Sequence, residues 1–205
     1  MTSAFAAVAM TALSLAAGTP SADEHVLAGA RFFRENHFAE ALVEFRVAER
    51  LGSLDARGYA AASLVKLDQP EQALELFETA GGPPLGRDAL LDYYHALACY
   101  ESRLYLSADA ILARVGPRTG PRVAEQAAKV RADIAAALAK EPAREAVDWY
   151  LARADELTQS GRELLARAFG REARALGSRR ADRYGVAEAD ARLARLAAPK
   201  AAASR

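Results

Sequence analysis

The chain is predicted to be all-α, an array of antiparallel helix pairs of the α-solenoid kind. Three observations predict it. The stretch "NHFAEALVEFRVAERLG", Asn36 to Gly52, sets Phe38, Ala41, Phe45 and Ala48 at intervals of three, four and three, which is one stripe of a helix. The stripe recurs: "QPEQALELFETAGG" from Gln69 carries Ala73, Phe77 and Ala80, and "LYLSADAILARVG" from Leu104 carries Ala108, Leu112 and Val115, in the same columns. Another small residue stands twelve positions before each alignment alanine, at Gly29, Ala61 and Ala96. The repeating unit is therefore a pair of helices, spaced 32 and then 35 residues apart. Two helices pack closely only where a small contact residue lets the backbones approach and a larger one fills the space beside it.

The opening "MTSAFAAVAMTALSLAAGTPSADE" has no charge before Asp23, and Ala4 to Ala17 is an apolar run of 14 residues. A bilayer-spanning helix needs about 20, so no stable membrane span is expected. The run has the length of a signal-peptide apolar region, followed by small residues and a proline, and residues 1–22 are read as a signal segment. Export, to a periplasm, is the expectation, with a cytoplasmic protein that keeps this segment as the alternative.

Residues 23–116 hold the three clear copies. Early in the pairs, Phe32, Leu64 and Cys99 follow the small residues by three positions, and Phe38, Pro70 and Tyr105 open the second helices. Residues 117–197 read as a helical extension. "GPRTGP", Gly116 to Pro121, is a breaker-rich loop, and the next segment puts Val123, Ala127, Val130, Ile134 and Leu138 on one stripe. "EP" at Glu141 and Pro142 interrupts. A divergent fourth pair follows, with a turn at Ser160-Gly161, an end at Gly177 and its aromatic at Trp149 or Tyr150. A last helix, from about Arg179 to Leu196, interleaves charges with Tyr184, Ala187, Leu193 and Leu196, as suits a terminal cap. Residues 198–205 read as a short tail.

Composition narrows the function. Lys and Arg total 27 and Asp and Glu total 27, so no net field draws in nucleic acid or an acidic surface, and no nucleic-acid partner is expected. The locally basic "GSRRADR", Gly177 to Arg183, and "GPRTGPR", Gly116 to Arg122, lack interleaved aromatics and read as solvated surface. Cys99, the single cysteine, reads as a small buried hydrophobe. His25, His37 and His95 share no metal-ligand spacing, "AGGPPLG" lacks the Lys-Ser/Thr of a phosphate loop, and no Gly-x-Ser-x-Gly elbow is present. No catalytic residue, cofactor or metal is therefore assigned. An enzyme reading would need Asp148, Asp155 and Glu156 gathered around an open cavity.

Gly29, Phe32, Phe38, Ala41, Phe45 and Ala48, echoed by Ala61, Leu64, Ala73, Phe77 and Ala80, resemble the signature of the tetratricopeptide repeat, a helix-turn-helix of about 34 residues. The resemblance implies a right-handed superhelix whose concave face is lined by the first helix of each pair and binds a segment of another protein. It places Val26, Ala30, Phe33 and Arg34 of the first copy on that face. It adds Ala62, Val65 and Lys66 of the second, and Tyr93, Leu97, Tyr100 and Glu101 of the third. Family members that clamp a terminal carboxylate use Lys, Asn and Arg where this chain has Val26, Ala30, Tyr59 and Tyr94, so a clamp is not expected. The function expected is a non-catalytic adaptor or scaffold of the cell envelope. The alternative is a structural subunit of a multi-protein envelope assembly.

Overall fold

The structure, a computed structural model, describes residues 20–79, 85–115, 119–140 and 143–197. Nearly all of the expected signal segment, Ala80, the Gly81-Gly82 link, the Glu141-Pro142 interruption and the tail lie outside the described residues. Among the described residues the chain forms ten helices and no strand. These are α1 (Ala22–Arg34), α2 (Phe38–Arg50), α3 (Leu54–Lys66), α4 (Pro70–Glu78), α5 (Ala89–Glu101), α6 (Tyr105–Val115), α7 (Pro121–Lys140), α8 (Ala143–Gln159), α9 (Glu163–Arg179) and α10 (Arg183–Ala197). Successive helices from α1 to α7 pack against one another as pairs, an arrangement compatible with an α-solenoid.

The ends are set locally. Ser21 accepts from the Glu24 amide while the Glu24 carboxylate accepts from the Ser21 amide, a reciprocal box that opens α1. Asp88 accepts from the Leu90 and Leu91 amides to open α5. Pro70 and Pro121 stand at the first positions of α4 and α7, where the missing N–H costs nothing.

The turn inside each pair is closed in one way. Asn36, Asp68, Arg103 and Gly161 each adopt a positive φ, and the next residue's amide reaches back to the carbonyl five residues earlier: His37 to Phe32, Gln69 to Leu64, Leu104 to Cys99 and Arg162 to Leu157. Five residues past each left-handed position stands a fully buried alanine: Ala41, Ala73, Ala108 and Ala166. The shared turn aligns α8–α9 with the three clear pairs. Its small residues are Ala154, Ala166, Gly170 and Ala173, all buried. Its aromatic is Tyr150, which is buried, and not Trp149, which is 38% exposed.

The columns pack as the small-and-large rule requires. Gly29 faces Phe45 so closely that a Cβ would stand 2.7 Å from Cε1 of the ring, which is itself fully buried. Gly29→Ala ordinarily gains about 1 kcal/mol of helix propensity. Here overpacking costs about 1–3 kcal/mol, so the propensity gain is cancelled and a net loss of up to about 2 kcal/mol is expected, measured by urea denaturation.

One expected boundary is displaced. Gly177 does not end a helix: α9 runs on to Arg179, and the left-handed turn residue is Ala181. Gly177 is buried, and a Cβ on it would stand 3.1 Å from Val186 Cγ2 and 3.3 Å from the Val186 backbone nitrogen. The glycine lets α10 approach and does not terminate α9. The last helix accordingly begins at Arg183, four residues later than its charge pattern suggests.

The first helices α1, α3, α5 and α7 touch in succession, whereas the second helices α2, α4 and α6 make no comparable contact with each other. The array therefore bends with its first helices inside. α7 extends it, burying Ala127 and Ile134 of the expected stripe against α5 and α6. The divergent pair does not stack next in line. α8 packs on α9, α10 closes over both, and α9 lies against α4 and α6 on the outer side.

That junction is largely polar. Glu71, Glu75 and Glu78 form one row on α4 and meet Arg153, Arg162 and Arg171: Arg153 to Glu71, Arg162 to Glu71 and Glu75, and Arg171 to Glu78, each at 2.7 Å. The Arg153 and Arg162 guanidinium groups hold the Glu71 carboxyl below its usual range against the opposing effect of burial. Beneath the row, Glu172 of α9 is buried and accepts from the Leu106 amide at 2.5 Å, the Ser107 amide at 3.0 Å and the Ser107 hydroxyl at 2.6 Å. A carboxylate thus closes the open amides at the start of α6.

Candidate functional site

The inner face is built from the first helices of the pairs. Phe33 of α1 meets Tyr94 of α5 edge-on, centroids 5.6 Å apart at 87°, so an aromatic contact bridges α1 and α5. α3, which lies between them, contributes Ala62 and Val65, both buried. Small side chains in the middle helix let large ones on either side converge. Tyr94 in turn meets Tyr93 at 5.7 Å, and Phe33 meets Phe38 at 5.2 Å. Burial raises the Tyr93, Tyr94 and Tyr100 hydroxyls above their ordinary range, so these groups stay neutral hydrogen-bonding partners.

Charge is arranged along one edge. Arg34, Lys66 and Glu101 are the final residues of α1, α3 and α5 and all three are exposed. The Lys66 ammonium lies 5.2 Å from the centre of the Phe38 ring, tying the charged edge to the aromatic ridge. Partial burial and the nearby Asp68 carboxylate raise Glu101 above the usual carboxylate range.

The expected face residues therefore divide. Val26, Phe33, Leu97 and Tyr100 are half-buried, and Arg34, Lys66 and Glu101 are exposed. Val65 (5% exposed) and Tyr93 (8%) face the core instead, with the Tyr93 hydroxyl donating to Gln126 of α7 at 3.3 Å. They sit behind the surface. Tyr94, in the bridging contact, completes the ridge; the resemblance puts it at a clamp position, where it counts only against a carboxylate clamp.

The residues an enzyme reading needs are not gathered. Asp155 is held by Arg192 of α10 at 2.8 Å, Glu156 pairs with Arg153 at 2.9 Å, and Asp148 is exposed. Among the described residues no group of three or more His, Cys, Asp and Glu side chains could hold a metal. Cys99 is buried and its thiol is pushed far up by burial. Arg122, Arg179 and Arg183 are exposed, as expected, but Arg180 is half-buried and donates to the Leu138 carbonyl of α7.

His95 is the buried histidine. Its ring stacks on Phe77 at 4.6 Å, its Nε2 has no hydrogen-bond partner and lies 3.9 Å from Glu78, and burial lowers its pKa to about 4. Glu78 and Asp92 oppose that shift and Arg171 adds to it. The neutral form is thus bound in the fold, and below about pH 6.5 the unfolded chain takes up a proton the folded chain refuses. Stability is expected to fall as pH drops from about 6.5 to about 4, by on the order of 3 kcal/mol. Urea midpoints measured across that window check it, and His95→Phe should flatten the slope.

No helix of the described residues is long and apolar enough to cross a membrane. The chain matches no protein-family model, no curated protein and no solved structure.

Proposed function

We propose that the chain is a tetratricopeptide-class repeat protein, a non-catalytic adaptor whose inner face binds a segment of a partner protein. The observation that carries this reading is the aromatic contact of Phe33 with Tyr94 between α1 and α5, with Leu97 and Tyr100 half-buried further along α5 and Arg34, Lys66 and Glu101 exposed at the helix ends. Half-buried aromatics offer large apolar area at low entropic cost, and a charged edge fixes the direction of a bound segment. Export with a cleaved signal accompanies the reading. Cleavage upstream of Ser21 keeps the box that opens α1, whereas cleavage after Ala22 removes it.

The test is recovery of a partner by the tagged protein from its own host and its loss in Leu97→Ala/Tyr100→Ala. Both side chains are half-buried, so the double variant is expected to keep its helical signal while partner recovery drops at least tenfold. Undiminished recovery would refute the inner-face assignment.

A second reading, a structural subunit of an envelope assembly, is favoured by Leu27 (71% exposed), Val43 (60%) and Leu54 (66%), apolar side chains on the first three helices. Leu27→Lys/Val43→Lys would then abolish assembly in native gels and leave the inner-face partner in place.

A further inference from the structure

The molecule already shows how it binds an acidic helix. Glu71, Glu75 and Glu78 of α4, spaced four and three apart, are each met by an arginine of α8, of α9 or of the turn between them. α9 carries a second arginine row with the same intervals, Arg167, Arg171 and Arg174. Arg171 belongs to both, and the second row faces a cavity of about 520 Å³ between α9 and α10, whose apolar wall includes Leu193 and Ala197.

This row has donors to spare. A guanidinium carries five N–H groups. Arg167 spends Nη2 on the Leu196 carbonyl, and its Nε is buried with no partner. Arg171 gives Nη2 to Glu78, and Arg174 gives Nε to Asp190 in a pair whose side chains are 57% and 51% exposed. An exposed pair of that kind contributes little and exchanges readily. The chain beyond Ala197, "APKAAASR", holds Lys200 and Arg205 and no acid, so that stretch supplies no carboxylate side chain for the cavity.

We propose that the α9–α10 cavity docks an acidic helical segment of a partner protein, its carboxylates at i, i+4 and i+7 pairing with Arg167, Arg171 and Arg174 and an apolar neighbour resting on Leu193. Guanidinium groups suit the task because their planar fork meets a carboxylate two-handed. The surface is separate from the inner face, so one protein could hold two segments at once.

The probe is a fluorescein-labelled helical peptide of about 16 residues with Glu at three such positions and Leu beside them, compared with its Gln twin, by fluorescence anisotropy with the full chain. The Glu peptide is expected to bind at least tenfold more tightly than the Gln twin and to weaken as salt rises. Arg167→Gln/Arg174→Gln should weaken it at least tenfold. Arg174→Gln alone, which breaks only the exposed pair, should weaken it severalfold with unchanged circular dichroism, and Arg122→Gln on α7 should leave it unchanged. Leu97→Ala/Tyr100→Ala should also leave it unchanged, which separates this site from the inner face. Equal binding of both peptides, indifference to the arginine variants, or displacement of the Glu peptide by equimolar inorganic phosphate, which would mark a small-anion site, each overturns the proposal.

Discussion

Glu172→Ala is expected to cost about 3–5 kcal/mol and to lower the Tm by roughly 10 °C. The carboxylate is 1% exposed and accepts from two backbone amides and a hydroxyl at the start of α6. Removing it strands those donors away from water, at about 1–3 kcal/mol for each buried unsatisfied group, and takes with it the favourable charge at a helix N-terminus. Glu172→Gln keeps the size and one acceptor oxygen but loses the charge assistance, and should fall between Ala and the parent. The loss should appear first where α9 meets the array. Thermal melts give the magnitude, and faster hydrogen exchange in α6 and α9 than in α1 and α2 gives the place. A melt within 2 °C of the parent would mean that the carboxylate is not what joins the two parts.

Phe45→Ala is the other large effect, about 3–5 kcal/mol. The ring is fully buried, fills the space that Gly29 leaves open and stacks on Tyr59 at 5.4 Å. Its cluster, with Ala41, Ala48, Ala56 and Ala60, is distinct from the larger core that runs from α3 to α10. In an array of repeats stability is close to a sum of local terms, so losing this ring should open the first pair while the rest stays folded. A denaturation curve with an early phase, and exchange confined to α1, α2 and the start of α3, is the expected result. A single cooperative transition shifted as a whole would show instead that the first pair is fused to the remaining core.

Much of this architecture was legible because it depends on intervals. The stripe through Ala41, Phe45 and Ala48 and its echoes fixed the pairs, and the shared turn extends the same register to Ala154 and Ala166. What periodicity does not carry is which helices meet across a distance. Nothing in the spacing of α9 says that it lies on α4 and α6, because an amphipathic stripe states that a face is buried and not against what. One residue did hold a signal. Glu172 stands on the stripe of Leu165, Phe169 and Leu176, three buried apolar residues, and a charge in such a place must find buried donors. The inner face was half legible for the same reason. Val65 stands on a helix buried all round from Ala60 onward, so no stripe marks its side, and only the convergence of Phe33 and Tyr94 decides which rings lie in front.

Photo-crosslinking tests the central claim, that the first helices form the surface that binds a partner. A photoreactive residue replacing Leu97 or Arg34 is expected to trap the same partner band in the native host, while one replacing Val43 on α2, or Glu145 on α8, traps none of it. Equal trapping at all four positions, or trapping at Val43 and Glu145 alone, would contradict the claim and move the interface to the outer helices.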